Sequence, residues 1–251
     1  MLNTEAAELK SIKEQTWFYE FPLPDGSLTK TDIPQEVLKI HATRLKKLRE
    51  VISTFIPNSK NLSAIDFASH QGYFSIELAD KFRSVLGIEM RSESLEQSKQ
   101  IRKIYNLKNL NFLQADLTKL DSNKVEKADL VLCYGLLYHL ENPIQVLRLA
   151  SELTTKHILI ETQIFPYDIS GNLEDGHYQW QRPITGVFAL CPDYGHRREG
   201  GSTEYAVIPS LNTLIGLLKD FGFNSVETIK FDNTDYEQFT RGSRVIIYAQ
   251  R

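Results

Sequence analysis

Apolar positions in this chain follow two periodicities, and the switches between them mark its elements. Residues 35–56 carry Val37, Leu38, Leu45, Leu48, Val51, Ile52 and Phe55 at helical spacing, and Pro57-Asn58-Ser59 stops the run. Ahead of it, residues 1–16 predict a polar helix. Residues 17–33 hold aromatics, two prolines and Asp25-Gly26, which predicts an irregular segment with a turn. From residue 62 short apolar runs alternate with amphipathic ones. The pattern predicts strands over 62–67, 84–89, 110–114, 128–133 and 157–161, and helices over 73–82, 92–105 and 143–153, the last with Pro143 in its first turn. Such alternation implies a parallel sheet covered by helices on both faces.

Residues 163–208 interrupt the pattern with glycines, prolines, aromatics and charges in no clear period. So long an irregular stretch in a compact domain predicts a functional insertion. Periodicity then returns as a helix over 210–221, ending at Gly222, and strands over 225–231 and 243–250. With no helix between them, these two strands predict an antiparallel hairpin closing a sheet of seven strands.

Composition narrows the class. The 251 residues are 41% hydrophobic and 24% charged, as in an ordered soluble protein. The net charge of -3 and a pI near 6.1 argue against general nucleic-acid binding, though a local basic patch stays open. Two cysteines, Cys133 and Cys191, make no disulfide framework and fit a reducing cytoplasm. The N-terminus lacks the basic start and apolar stretch of a signal peptide, and no run approaches the roughly 18 to 20 apolar residues of a membrane span. Oligomeric state leaves no mark in the sequence.

In open α/β sheets ligands bind at the carboxyl ends of the strands. The first strand and its loop read AIDFASHQGYFS: Asp66 ends the strand, small residues follow at Ala68 and Ser69, then His70, and Gly72 opens the next helix. The second strand ends at Glu89, followed by Met90, about 20 residues on, where a carboxylate can accept from two ribose hydroxyls. The third strand leads into Asp116 and Leu117. An acid there can accept from an adenine amino group, and a neighbouring backbone N–H can reach the ring.

These residues, with the run ADLVLCYGLLYHLENP, resemble the class I S-adenosylmethionine-dependent methyltransferases over roughly residues 62–162. The resemblance implies a Rossmann-like, doubly wound sheet with an N-terminal helical lid over residues 1–58. It implies an S-adenosylmethionine-binding domain over 59–251, and 163–208 would be its substrate-binding insertion. The family pattern has Gly-x-Gly-x-Gly in the first loop, where this chain has Ala68, His70 and Gly72. Ala68 costs little if its φ is negative, and the His70 ring must point away from the ligand or touch its methionine end. A dehydrogenase would also use a Gly-rich loop and a ribose acid, but with a tighter G-x-G-x-x-G than this chain shows.

The stretches GLLYHLENP, LIETQ, IPS and LLKDFGF are similar to the C-terminal half of the tRNA wobble-uridine carboxymethyltransferase family and its small-molecule relatives. That similarity implies that Tyr134 lies against the cofactor, and that Tyr138 and a late arginine, matched to Arg241, contact cofactor carboxyl groups.

Methyl transfer asks for in-line approach at roughly 3 Å in a site closed to water, and a hydroxyl acceptor also needs a base. His139, after the fourth strand, and Glu161, ending the fifth, are the candidate catalytic residues. A histidine capping local backbone is the alternative for His139. For substrate contact the candidates are Trp17 and Tyr19 in the N-terminal segment, and Gln163, His177, Trp180, Arg198, Glu204 and Tyr205 in and beside the insertion, with Arg241. Packing the first long helix is the alternative for Trp17 and Tyr19, and a self-stabilised surface loop for the insertion. No tight His/Cys/Asp/Glu spacing calls for a metal. Three functions remain to be separated. The chain could methylate an oxygen or nitrogen of a small polar or aromatic molecule. It could modify RNA. It could be a binding module that kept the fold without the chemistry.

Overall fold

The computed structural model describes residues 2–174, 181–193 and 203–251. Seven strands form the central sheet: β1 (Ser63–Phe67), β2 (Ser84–Glu89), β3 (Leu110–Gln114), β4 (Ala128–Tyr134), β5 (Thr154–Gln163), β6 (Ser225–Thr228) and β7 (Arg244–Gln250). Their order across the sheet is β6-β7-β5-β4-β1-β2-β3. The helices are α1 (Leu2–Glu14), α2 (Gln35–Phe55), α3 (Tyr73–Lys81), α4 (Ser92–Ile104), α5 (Pro143–Leu153), α6 (Leu211–Asp220) and the one-turn α7 (Glu237–Thr240). No helix among the described residues is long and apolar enough to cross a membrane.

Two compact units are distinguishable: residues up to Leu120 with Ala128–Leu132, and Asp121–Lys127 with Cys133–Arg251. In the first, β1, β2 and β3 run parallel. Ala64 to Phe67 of β1 are all buried, as a strand covered on both faces requires. Gly87 of β2 is dictated by its neighbour, because a Cβ there would lie 2.5 Å from Phe112 Cδ1. The stretch read as irregular, 17–33, is ordered around a minimal parallel pairing of Thr16–Trp17 with Lys30–Thr31.

The second unit holds the closing hairpin. β6 pairs antiparallel with β7, and β7 antiparallel with β5. A single turn of helix, α7, interrupts the connection that sequence left bare. Asn142 caps α5 by accepting the Gln145 N–H at 3.2 Å, and Pro143 follows where its missing N–H costs nothing. The insertion is more regular than its sequence. Gly171–Glu174 pairs antiparallel with Gln181–Ile184, and Phe188–Pro192 with Tyr205–Pro209. The first of these ribbons buries too little to impose an apolar alternation: Gly171 to Glu174 are all exposed.

Candidate functional site

In the first unit, β1 ends at Phe67 and the chain turns through residues 68–72 into α3. Ala68, His70 and Gly72 have φ of +52°, +51° and +82°. Alternate residues are left-handed, which is the backbone that a Gly-x-Gly-x-Gly loop exists to permit. The expectation of a negative φ at Ala68 is therefore corrected. The loop keeps the glycine path with side chains on it, at a strain of about 1–2 kcal/mol per residue. Other bonds over-determine it. His70 N–H donates to Glu89 Oε2 at 2.8 Å, and Ser69 N–H to the Ile88 carbonyl at 3.0 Å. The His70 ring points away from the loop into aromatics, 5.1 Å from Phe18 and 5.7 Å from Tyr19.

Gln71 fastens the N-terminal segment to this loop. Its Oε1 accepts the N–H groups of Phe18 and Tyr19 at 2.9 and 3.3 Å, and its Nε2 donates to Gln97 Oε1 at 2.6 Å. Tyr19 stacks on Tyr73 at 4.6 Å between ring centroids. Trp17, expected at the substrate, is a core residue instead. It is fully buried, and its indole N–H donates to the Ile12 carbonyl at 2.9 Å. Tyr19 too is buried, at 7% exposure.

Three acids sit near this loop. Burial pushes the Asp66 carboxyl up to about 7, with a contribution from the Glu89 charge; the Ser75 hydroxyl, donating at 2.6 Å, opposes the rise. Asp66 thus ties β1 to α3. Glu89 is buried, and its two oxygens accept from the backbone N–H groups of His70 and Arg91, each at 2.8 Å. Met90 beside it is exposed. For Asp116, burial is outweighed by bonds from Thr118, at 2.9 and 2.7 Å, and from Lys119, so the carboxyl is held below its ordinary value. Leu117 next to it is buried.

The first unit fits a nucleotide-like cofactor on two observations. The left-handed loop turns its peptide groups as the glycine pattern would. The buried Ser69 hydroxyl has no hydrogen-bond partner among the described residues, a donor left over for a ligand.

In the second unit, Tyr134 ends β4, buried, and Gly135 turns the chain at φ +69° into a 3-10 turn, Leu137–His139. Gly135 N–H donates to the Glu161 carbonyl at 3.0 Å. Glu161 Oε1 accepts from Arg244 Nη1 at 2.9 Å, with the side chains 0% and 6% exposed. Arg244 Nε donates to Gln238 Oε1 at 2.6 Å, and its guanidinium lies 4.7 Å over the Tyr138 ring. The arginine over the Tyr138 ring is thus Arg244; the side chain of Arg241 is 72% exposed and paired with Glu237 on its own helical turn. Arg244 opens β7, and its register opposite Gln163 carries it there.

His139 Nδ1 lies 3.2 Å from Asp193 Oδ2, the side chains only 17% and 10% exposed. Sequence reasoning missed Asp193, which follows the strand Phe188–Pro192. Glu204 and Tyr205, on the opposite side of that ribbon, are exposed. His177, Trp180 and Arg198 lie outside the described residues.

Residues 58–178 match the protein family described as a methyltransferase domain. Among solved structures, the fold resembles the N-terminal domain of EvdMO1 with S-adenosylhomocysteine bound, at TM-score 0.73 and 17% identity over 99% of this chain and 95% of that one. Magnesium protoporphyrin IX methyltransferase (ChlM) from Synechocystis PCC 6803, with S-adenosylhomocysteine bound, aligns at TM-score 0.59 and 15% identity over the same shares. At such identities the likeness is one of fold. Curated relatives include the 23S rRNA (uracil(1939)-C(5))-methyltransferase RlmD of Psychromonas ingrahamii, 30% identical over 40% of this chain and 22% of that protein. RlmD of Marinomonas sp. (strain MWYL1) is 28% identical over 38% and 21%. The chain thus spans about a fifth of the length of the curated relatives it matches. Residues 58–178, just under half of the chain, thus match a methyltransferase domain, and the fold is one also seen with S-adenosylhomocysteine bound.

Proposed function

We propose that the chain is a methyltransferase acting on an oxygen or nitrogen of a small polar or aromatic molecule. In this reading residues 1–58 cover the cofactor loop, 59–251 form the catalytic domain and 163–208 receive the acceptor. The observation that carries it is the His139–Asp193 pair. A histidine backed by a carboxylate, on the turn that follows β4, is suited to take a proton from an acceptor hydroxyl. When bound, S-adenosylmethionine supplies a methyl group activated by its sulfonium. Glu89 would hold the ribose hydroxyls, with Met90, Asp116 and Leu117 at the adenine. Residues 68–72 would take the methionine end. Glu161 holds Arg244 against Tyr138 and so shapes the site rather than receiving a proton.

Two further facts support a small acceptor. One structural relative was crystallised with D-fucose and the other is named for a porphyrin substrate. The net charge of -3 gives no general attraction to a phosphate backbone. The curated relatives' names favour RNA as a second reading. Release of S-adenosylhomocysteine from S-adenosylmethionine, measured with a panel of deoxy sugars and aromatic or tetrapyrrole carboxylic acids and separately with total RNA, decides between them. Turnover with RNA alone would overturn the small-molecule reading. With an accepted small molecule, His139→Ala should lower kcat by about 100-fold or more while leaving S-adenosylhomocysteine affinity within about twofold. Equal losses in both would assign His139 a structural role.

A further inference from the structure

We infer that Asp193 is the positioning residue for His139. It would hold the imidazole in the tautomer that carries its proton on Nδ1 and leaves Nε2 basic, and would couple that state to the insertion ribbon. The inference rests on reading His139 as the base.

The geometry is built from both sides. Asp193 extends the ribbon of Phe188–Pro192 and Tyr205–Pro209 by one rung, its N–H donating to the Glu204 carbonyl at 2.9 Å. The carboxylate is therefore fixed to a strand end rather than carried on a free loop. The opposite strand of the ribbon is bonded to the turn that bears the histidine: Val207 N–H donates to the Leu140 carbonyl at 3.0 Å. On that turn His139 N–H donates to the Leu136 carbonyl at 3.0 Å, which fixes the backbone of the histidine itself. Both partners are thus anchored by main chain, 54 residues apart in sequence, with Nδ1 and Oδ2 at 3.2 Å.

That contact has a chemical consequence. An ionised aspartate only accepts, so the ring nitrogen facing it must carry the proton. In the neutral ring the lone pair then resides on Nε2. Arg244 lies over the far partner, Tyr138, and is already bonded to Glu161 and Gln238. Tyr138, 4.2 Å from the His139 ring, contributes an aromatic face. A carboxylate within hydrogen-bond reach favours the imidazolium, so Asp193 also raises the basicity of the ring. Since the aspartate belongs to the insertion, the ribbon that would receive an acceptor also prepares the base.

Nitrogen-15 NMR of the imidazoles tests this on the full chain saturated with S-adenosylhomocysteine, with His139→Ala identifying the His139 signals. The wild type should show the proton on Nδ1 above the His139 titration. In Asp193→Asn the apparent pKa should fall by about one unit or more, and Asp193→Glu should restore part of the shift. A proton on Nε2 in the wild type, or an unchanged pKa in Asp193→Asn, overturns the inference. If Asp193→Asn fails to fold, the wild-type tautomer alone decides. The turnover of His139→Ala is a separate measurement. If it fails while the NMR result holds, the pair exists but is not the base, so the two failures are distinguishable.

Discussion

Ala68 and His70 occupy backbone that glycine would adopt without strain, at φ +52° and +51°. A side chain in the left-handed region is disfavoured by about 1–2 kcal/mol, and a glycine there gives back part of this as unfolded-chain entropy. Ala68→Gly should therefore stabilise the fold by up to about 1 kcal/mol, measured by urea unfolding. A loss of stability would show that the Ala68 methyl is needed by its packing. His70→Gly should behave oppositely, since the ring packs against Phe18 and Tyr19. Residues held in strained backbone concentrate at functional sites when their surroundings over-determine them, and here Glu89 and Ile88 do so from β2.

At the scale of elements, the contact that most directly joins the N-terminal segment to the cofactor loop is a single amide. Gln71 accepts two backbone N–H groups, of Phe18 and Tyr19, and is itself held by Gln97, whose own Nε2 reaches the Thr16 carbonyl at 3.2 Å. Gln71→Ala strands those donors, at a cost of about 1–3 kcal/mol for buried groups. Hydrogen exchange should show the Phe18 and Tyr19 amides losing protection, while the strand amides of β1 and β2 keep theirs. Uniform loss across the unit would mean that the segment and the sheet unfold together.

For the molecule as a whole, the clearest pH signature belongs to Asp66. Burial raises its folded-state value to about 7, whereas in the unfolded chain it titrates in the ordinary carboxylate range. Between those values the folded state binds the extra proton, so this group favours folding at low pH. Its contribution falls as pH rises through the window from roughly 4 to 7, and is flat above it. Asp66→Asn should remove that downward component and raise stability at pH 8 relative to wild type. A wild type and variant with parallel stability–pH curves would place the Asp66 pKa in the ordinary range.

The sequence by itself determined the alternation of strands and helices, the strand end at Glu89, the acid Asp116 after the third strand, and the hairpin that closes the sheet. Those features are local: a period of 2 or 3.6 and a proline in a helix's first turn are set by neighbours along the chain. Tertiary structure alone decided the rest. It showed Trp17 in the core, since an aromatic residue reads the same whether it faces a ligand or a neighbour. It laid Arg244 over Tyr138, because strand register carries that arginine there. It placed Asp193 beside His139, a meeting of residues 54 apart that depends on the pairing of two strands distant from His139 in sequence. The glycine-like loop drawn by Ala68 and His70 was hidden for the same reason. The strain is local, but the bonds that hold it come from another strand.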